Sequence, residues 1–126
     1  MKCIGCPKCS GQLHQVIYQQ IEVDRCDHCQ GIWFDRLEAE KLKQIKGSES
    51  LDKCTKPRNK QRSPVSACPH CRQQMLRMLD IDKHAIWYEK CARCQGIWLE
   101  AGQFSQYKQN FAPKGVIDLA KQVLHI

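Results

Sequence analysis

Apolar and polar residues alternate in two short stretches of this chain. Ile21 and Val23 alternate with polar neighbours, and Ile86 and Tyr88 hold the matching positions further on, with Trp87 between them. A period of two places one face of a strand against a core. Partner strands are expected near Leu13 to Ile17 and Met75 to Ile81, so each stretch predicts a β-hairpin. The period then changes. Ala39, Leu42 and Ile45 recur at helical spacing, with Asp35 as N-cap, Glu38 completing a capping box and Gly47 ending the helix. Phe104, Tyr107 and Phe111 repeat that stripe before Pro113, behind Glu100, a poorer cap. A last stripe of Val116, Ile117, Ala120, Val123 and Leu124 predicts a C-terminal amphipathic helix. A helix of about ten residues is marginal alone. It has to pack on the hairpins or on another chain.

Cysteine changes the picture most. The chain has 126 residues and 10 cysteines. The opening MKCIGCPKCSG puts Cys3, Cys6 and Cys9 at every third position, and an internal repeat sorts them. One copy runs from Cys6 to Gln44 and the other from Cys68 to Gln109. Both begin Cys-Pro-x-Cys and both later carry Cys-x-x-Cys-Gln-Gly-Ile-Trp, after gaps of 16 and 19 residues. Cys3 has no counterpart, because Val65 stands in its place. Cys6, Cys9, Cys26 and Cys29 therefore form one set, and Cys68, Cys71, Cys91 and Cys94 the other. Paired turns at this spacing are those of a structural zinc site, and four thiolates suit tetrahedral zinc. An iron–sulfur run would need a cysteine at Leu13, and a thioredoxin-like motif would need a βαβ pattern. Neither is present. The sequence predicts two zinc ions per chain. Units of about 40 residues bury too little surface to fold alone, so the metal is a condition for folding.

Several residues support these turns. Pro7 and Pro69 pre-set the second position of each opening turn. Gly31 and Gly96 are expected to supply a backbone conformation that a β-carbon would hinder. Trp33 and Trp98 are expected as core plugs between hairpin and helix rather than base-stacking platforms. Trp87 should face outward, at the position Glu22 holds in the first copy. It is read as covered by the C-terminal helix or by a partner. His28 and His70 lie inside turns already supplied with thiols and are read as non-ligating. His14, His84 and His125 belong to no constellation. Cys3 and Cys54 are left over and read as free thiols; exchange of Cys3 with Cys6 and a redox role are the alternatives.

The pattern Cys-Pro-x-Cys, a hairpin, Val23-Asp24-x-Cys26-x-x-Cys29-x-Gly31-Ile32-Trp33-Phe34-Asp35 and a short helix resembles the bacterial transcription-factor zinc-finger family. That family takes its name from the zinc ribbon of general transcription factor IIB. Glu38 extends the match, whereas Leu37 stands where the family usually has glycine. The second copy keeps that glycine as Gly102 but has Glu100 for the aspartate and Gln103 for the glutamate. The resemblance implies two tandem four-cysteine zinc ribbons and a partner in nucleic acid or the transcription machinery.

The expected fold is therefore a small metal-stabilised α+β protein. Residues 1–46 form the first ribbon and helix, 47–66 a flexible linker, 67–111 the second ribbon and helix, and 112–126 the C-terminal helix. The linker suggests independent units. Its Lys53, Lys56, Arg58, Lys60 and Arg62 outweigh two acids, while the first copy is balanced. These five are the candidate phosphate contacts. The surface of Trp87 with Val116, Ile117, Ala120, Val123 and Leu124 is the candidate protein interface, for an adaptor or a homo-oligomer. The formal charge of +7 overstates the basicity, because two zinc centres of four thiolates each lower it to +3. The N-terminal stretch has no signal-peptide pattern, and no apolar run is long enough for a membrane span. A cytoplasmic protein with reduced thiols is expected. No nucleophile–base pair, phosphate loop or small-molecule substrate site is evident, so no enzymatic activity is expected. A zinc- or redox-responsive role would rest on the spare cysteines alone.

Overall fold

The computed structural model describes residues 4–52 and 65–110. In chain order they form β1 (Ile4–Gly5), β2 (Gln12–Tyr18), β3 (Ile21–Cys26), β4 (Ile32–Phe34), α1 (Glu38–Lys43), a 3-10 helix (Ser48–Leu51), β5 (Leu76–Ile81), β6 (Ala85–Lys90), β7 (Ile97–Leu99) and α2 (Gln103–Gln109). The hairpins fall where the alternation puts them. β2 pairs with β3 from Leu13↔Cys26 to Tyr18↔Ile21, and β5 with β6 from Leu76↔Lys90 to Ile81↔Ala85. Gln19 and Gln20 make the first hairpin's turn at φ 52° and 69°, the left-handed pair that matches strand twist.

The two ribbons are not independent. One seven-stranded sheet runs β1-β2-β3-β4-β7-β6-β5. At its centre β4 and β7 pair antiparallel, with Ile32↔Leu99, Trp33↔Trp98 and Phe34↔Ile97. Equivalent strands meet about an approximate two-fold axis at the tryptophans. Each ribbon thereby covers the open strand edge of the other. Helices lie on one face, over a shared core that includes Val23, Phe34, Leu42, Ile86 and Phe104. Phe34 and Phe104, from opposite copies, have ring centroids 5.1 Å apart. The other face carries Leu13, Met75, both central tryptophans and the cysteine turns.

This seam corrects two expectations. Trp33 and Trp98 are buried, but at the junction of the ribbons on the cysteine face, not between hairpin and helix. Nor is the glycine before them needed for its backbone angles, since left-handed φ falls on Gln30 and Gln95. A Cβ on Gly31 would lie 2.2 Å from Cζ2 of Trp98, and one on Gly96 would lie 2.2 Å from Cζ2 of Trp33. Each glycine makes room for the other copy's tryptophan.

The helix starts also differ from expectation. Neither Asp35 nor Glu100 caps its helix. Their carboxylates accept the indole N–H of Trp33 (3.0 Å) and Trp98 (3.2 Å). Glu38 and Gln103 do reach back, accepting from the backbone N–H of Asp35 and Glu100. The residue before each helix is left-handed, Gly102 at φ 82° and Leu37 at φ 68°. Leu37 thus adopts the glycine conformation with a side chain that disfavours it.

Residues 47–66 are not a tether throughout. Gly47 turns at φ 87° into Ser48–Leu51, and Ser48 Oγ donates to the Leu42 carbonyl at 2.6 Å. Leu51 is 4% exposed. Asp52 accepts from Gly102 N (3.1 Å), Ser105 N (2.8 Å) and Ser105 Oγ (3.0 Å), so the end of the first repeat clamps the second repeat's helix. Phe111 and the expected C-terminal helix lie outside the described residues.

Two substitutions test the seam and the strained turn. Gly31→Ala should destabilise the zinc-loaded protein by about 1–3 kcal/mol or more, the range for overpacking. Thermal unfolding should remain a single transition, because both ribbons lose the seam together. Leu37→Gly should raise stability by up to about 1 kcal/mol: a left-handed non-glycine residue costs roughly 1–2 kcal/mol, and glycine's extra unfolded entropy offsets part of that. Leu37→Ala, which keeps the strain, should not.

Candidate metal centres

Each centre takes two thiols from the turn that opens a repeat and two from the turn after the long hairpin. Zinc would bring together residues far apart in the chain and fix the open end of each hairpin. The Sγ atoms of Cys6, Cys9, Cys26 and Cys29 all lie within 4.8 Å of one another, as do those of Cys68, Cys71, Cys91 and Cys94. Nearest pairs are Cys9–Cys26 at 3.4 Å, Cys6–Cys29 at 3.7 Å and Cys68–Cys94 at 3.7 Å. A zinc–sulfur bond of about 2.3 Å with tetrahedral angles separates thiolates by about 3.8 Å. The residues present therefore fit the ion.

The local backbone supports negative sulfur. Lys8 N and Gly11 N point at Cys6 and Cys9 Sγ at 3.3 Å, and His28 N at Cys26 Sγ at 3.3 Å. His70 N and Cys71 N approach Cys68 Sγ at 3.4 and 3.3 Å. The thiols share protons unequally. A hydrogen bond from Cys6 draws Cys29 down to about 5, and the same contact pushes Cys6 far above the usual thiol range. Burial, reinforced by neighbouring thiols, raises Cys94 to about 12. Four thiolates cannot share such a space without a cation, and a dipositive ion supplies what the crowding requires. With four protein ligands the coordination is closed, which is structural rather than catalytic zinc geometry.

The family model of the transcription factor zinc-finger matches residues 5–45 and again 67–110. The chain belongs to this family. Both matched segments contain a complete cysteine set, and two centres of four thiolates in a zinc-ribbon family fit two zinc ions per chain. No curated protein and no solved structure matches the chain. No helix among the described residues is long and apolar enough to cross a membrane.

Between the zinc-ribbon turns, the structure pairs charges in a way not anticipated from sequence. Lys8, inside the first opening turn, forms an ion pair with Glu89 of β6, and their side chains are 7% and 8% exposed. Glu89 also accepts from Ser66 N at 2.9 Å. The symmetry-related positions hold His70 and Asp24. His70 Nε2 lies 4.0 Å from Asp24 and 3.9 Å from Asp35, and its ring is 5.8 Å from that of Trp33. Burial, with Asp35 nearby, pushes the Asp24 carboxyl up, and His70 draws it partly back. Each ribbon's opening turn is thus tied to the other ribbon's second hairpin strand. One signal was available: Lys8 and His70 hold one repeat position, and Asp24 and Glu89 hold another.

The remaining candidates divide. His28 is exposed, and His14 pairs with Asp27 at 3.1 Å. Trp87 is half-buried opposite Leu79. Cys3, Lys53, Cys54, Lys56, Arg58, Lys60, Arg62, Val116, Ile117, Ala120, Val123 and Leu124 lie outside the described residues.

The shared sheet sets the expected result of ligand loss. Purified protein should hold two zinc ions, and Cys3→Ser should keep both. Cys6→Ser should lose the first and also weaken the second. Contacting groups couple by roughly 0.5–3 kcal/mol, so a chelator should strip the remaining ion several-fold to about a hundredfold faster than from wild type. An unchanged rate at the second centre would show that the seam transmits nothing.

Proposed function

We propose that this chain is a non-enzymatic cytoplasmic module, held in shape by structural zinc, that binds nucleic acid or the transcription machinery. The observation that carries this reading is the placement of basic residues around the second centre. Arg72 and Arg93 are exposed on the two turns that hold it, where the first centre has Ser10 and His28. Lys53, Lys56, Arg58, Lys60 and Arg62 precede Val65, which leads into the same turn. Arg72 and Arg93 alone offset the local −2 of a four-thiolate zinc, and the five basic residues that precede Val65 in the sequence add to the charge of this half of the chain. Family membership is consistent with such a partner, and thiolate–zinc chemistry suits a reducing compartment.

A second reading has its own observation. Leu79 and Ile81 are 41% and 61% exposed, on the same hairpin face as Trp87. That apolar patch favours a protein partner or a second copy. Mass that rises with concentration would support self-association over nucleic-acid binding.

Salt dependence separates the readings. Phosphate contacts give a slope of log K against log salt of about −0.9 each on duplex and about −0.7 on single strands. Three to five contacts predict roughly −2 to −4.5 across these cases. Changing Arg58 and Lys60 to alanine should flatten the slope by one or two contacts' worth and weaken all sequences alike. An unaltered slope would remove the linker from the site, and no binding at physiological salt would reject nucleic acid as the partner.

A further inference from the structure

Among the described residues, the approximate two-fold of the sheet does not extend to the ends of the two repeats. On one side the groove between the start of α2 and the β3–β4 strands is filled by the end of the first repeat. Leu51 is buried there, its carbonyl accepts from Arg25 Nη1 at 3.0 Å, and Asp52 accepts from Gly102 and Ser105. On the other side the equivalent groove between α1 and β6–β7 is an open cavity of about 220 Å³. Its walls include Leu37, Ala39, Tyr88, Lys90 and Ile97. By repeat register these correspond to Gly102, Phe104, Val23, Arg25 and Ile32. The walls of the filled groove are therefore present a second time, with no occupant among the described residues.

We propose that the C-terminal segment of this same chain fills the second groove, with Ile117 in the place of Leu51 and Asp118 in the place of Asp52. Three observations carry this. The sequence after α2 repeats the hydrophobic–acidic pair: Ser50-Leu51-Asp52 in the first repeat, Val116-Ile117-Asp118 in the second. The reach matches, since Leu51 lies six residues beyond Ile45, and Ile117 lies seven beyond Asn110, the repeat counterpart of Ile45. The starting point is fixed. Asn110 Oδ1 accepts from His84 N at 2.9 Å, and its Nδ2 donates to Asp80 at 3.0 Å and to the His84 carbonyl at 2.8 Å. The chain thus leaves α2 tied to the β5–β6 turn, as Tyr18 Oη ties the first repeat by donating to the Lys46 carbonyl at 3.0 Å.

The chemistry of the groove suits the occupant. Lys90 replaces Arg25 as the cation that can meet a backbone carbonyl. Tyr88 and Ile97 offer apolar wall to a branched side chain. Glu40 stands where Ser105 does in the filled groove, but its carboxylate accepts from Tyr107 Oη at 2.5 Å. Arg36 and Lys90, both on the groove wall, balance it and can receive Asp118.

Methyl-labelled, zinc-loaded full chain tests this by nuclear Overhauser contacts. Expected are contacts from the Ile117 methyls to the Tyr88 ring and the Ile97 methyls, unchanged on dilution. They should persist in a mixture of labelled and unlabelled chains, as contacts within one molecule. Ile117→Asp should abolish them and shift the amides of Tyr88, Lys90 and Ile97, with both zinc ions retained. Val116→Ser, at the position of exposed Ser50, should leave them in place. Because the wild-type contacts are read directly, the test survives a variant that folds poorly. The proposal is overturned if Ile117 makes no such contacts, if its contacts go to Leu79 and Ile81 instead, or if they occur only between molecules.

Discussion

Everything else in this fold depends on the pairing of β4 with β7. Each strand has only three residues, all buried. In a single ribbon such a strand would leave a row of backbone donors and acceptors open at an edge. A second ribbon turned by about half a revolution satisfies that row with a copy of itself. The geometry is demanding at one point: two tryptophans meet at the centre, and each ring lies where the other copy's β-carbon would be. Only glycine at 31 and 96 permits it. The repeated Gln-Gly-Ile-Trp is thus a reciprocal requirement, in which each copy's glycine serves the other copy's tryptophan.

Around the seam, charge enforces the same register. The Lys8–Glu89 pair is nearly dry, and a dry ion pair gives little net stability against an apolar substitute. Removing one partner is different, because the other charge then stays buried alone, at a cost of about 3–5 kcal/mol. The pair therefore discriminates against misplaced partners more than it stabilises the correct one. Its counterpart uses His70 and Asp24, half-exposed and longer, so the two sides of the axis are not equally strong. Zinc acts at the far ends of the hairpins, holding each ribbon's turns together while the seam joins the ribbons.

Much of this was legible along the chain, for reasons that also explain the omissions. Alternation at Ile21–Val23 and Ile86–Tyr88 locates the hairpins, because one buried face writes a period of two. Cysteine spacing assigns the centres, because metal geometry tolerates few alternatives. β4 and β7 write no period, since both faces are covered and three residues are too few. Ser48–Asp52 has the composition of a loop, and only tertiary contacts with α2 make it part of the core. Asp35 has the right type and place for a helix cap, but the indole N–H of Trp33 competes for its carboxylate and wins. Leu37 was visible as a departure from the family pattern, and the structure gives that departure a meaning: the backbone there has the left-handed conformation that glycine favours.

The seam also narrows where any partner can be met. With Trp33 and Trp98 fully enclosed, neither offers a ring face to a base, and a partner of the proposed kind would have to meet what the pairing leaves outside. Two exposed surfaces stand out among the described residues. One is the turn region of the second zinc centre with Arg72 and Arg93; the other is the outer face of the β5–β6 hairpin with Leu79, Ile81 and Trp87. Both belong to the second repeat, whereas the first repeat offers a balanced charge, and Ile17 and Leu37 are its exposed large apolar residues. A tandem repeat that pairs through equivalent strands begins with two equivalent outer surfaces. Among the described residues the copies differ: the first ends folded onto α2 through Leu51 and Asp52, and the second carries the exposed arginines and the apolar hairpin face. The copies thus differ in the side chains they expose while their paired strands remain alike.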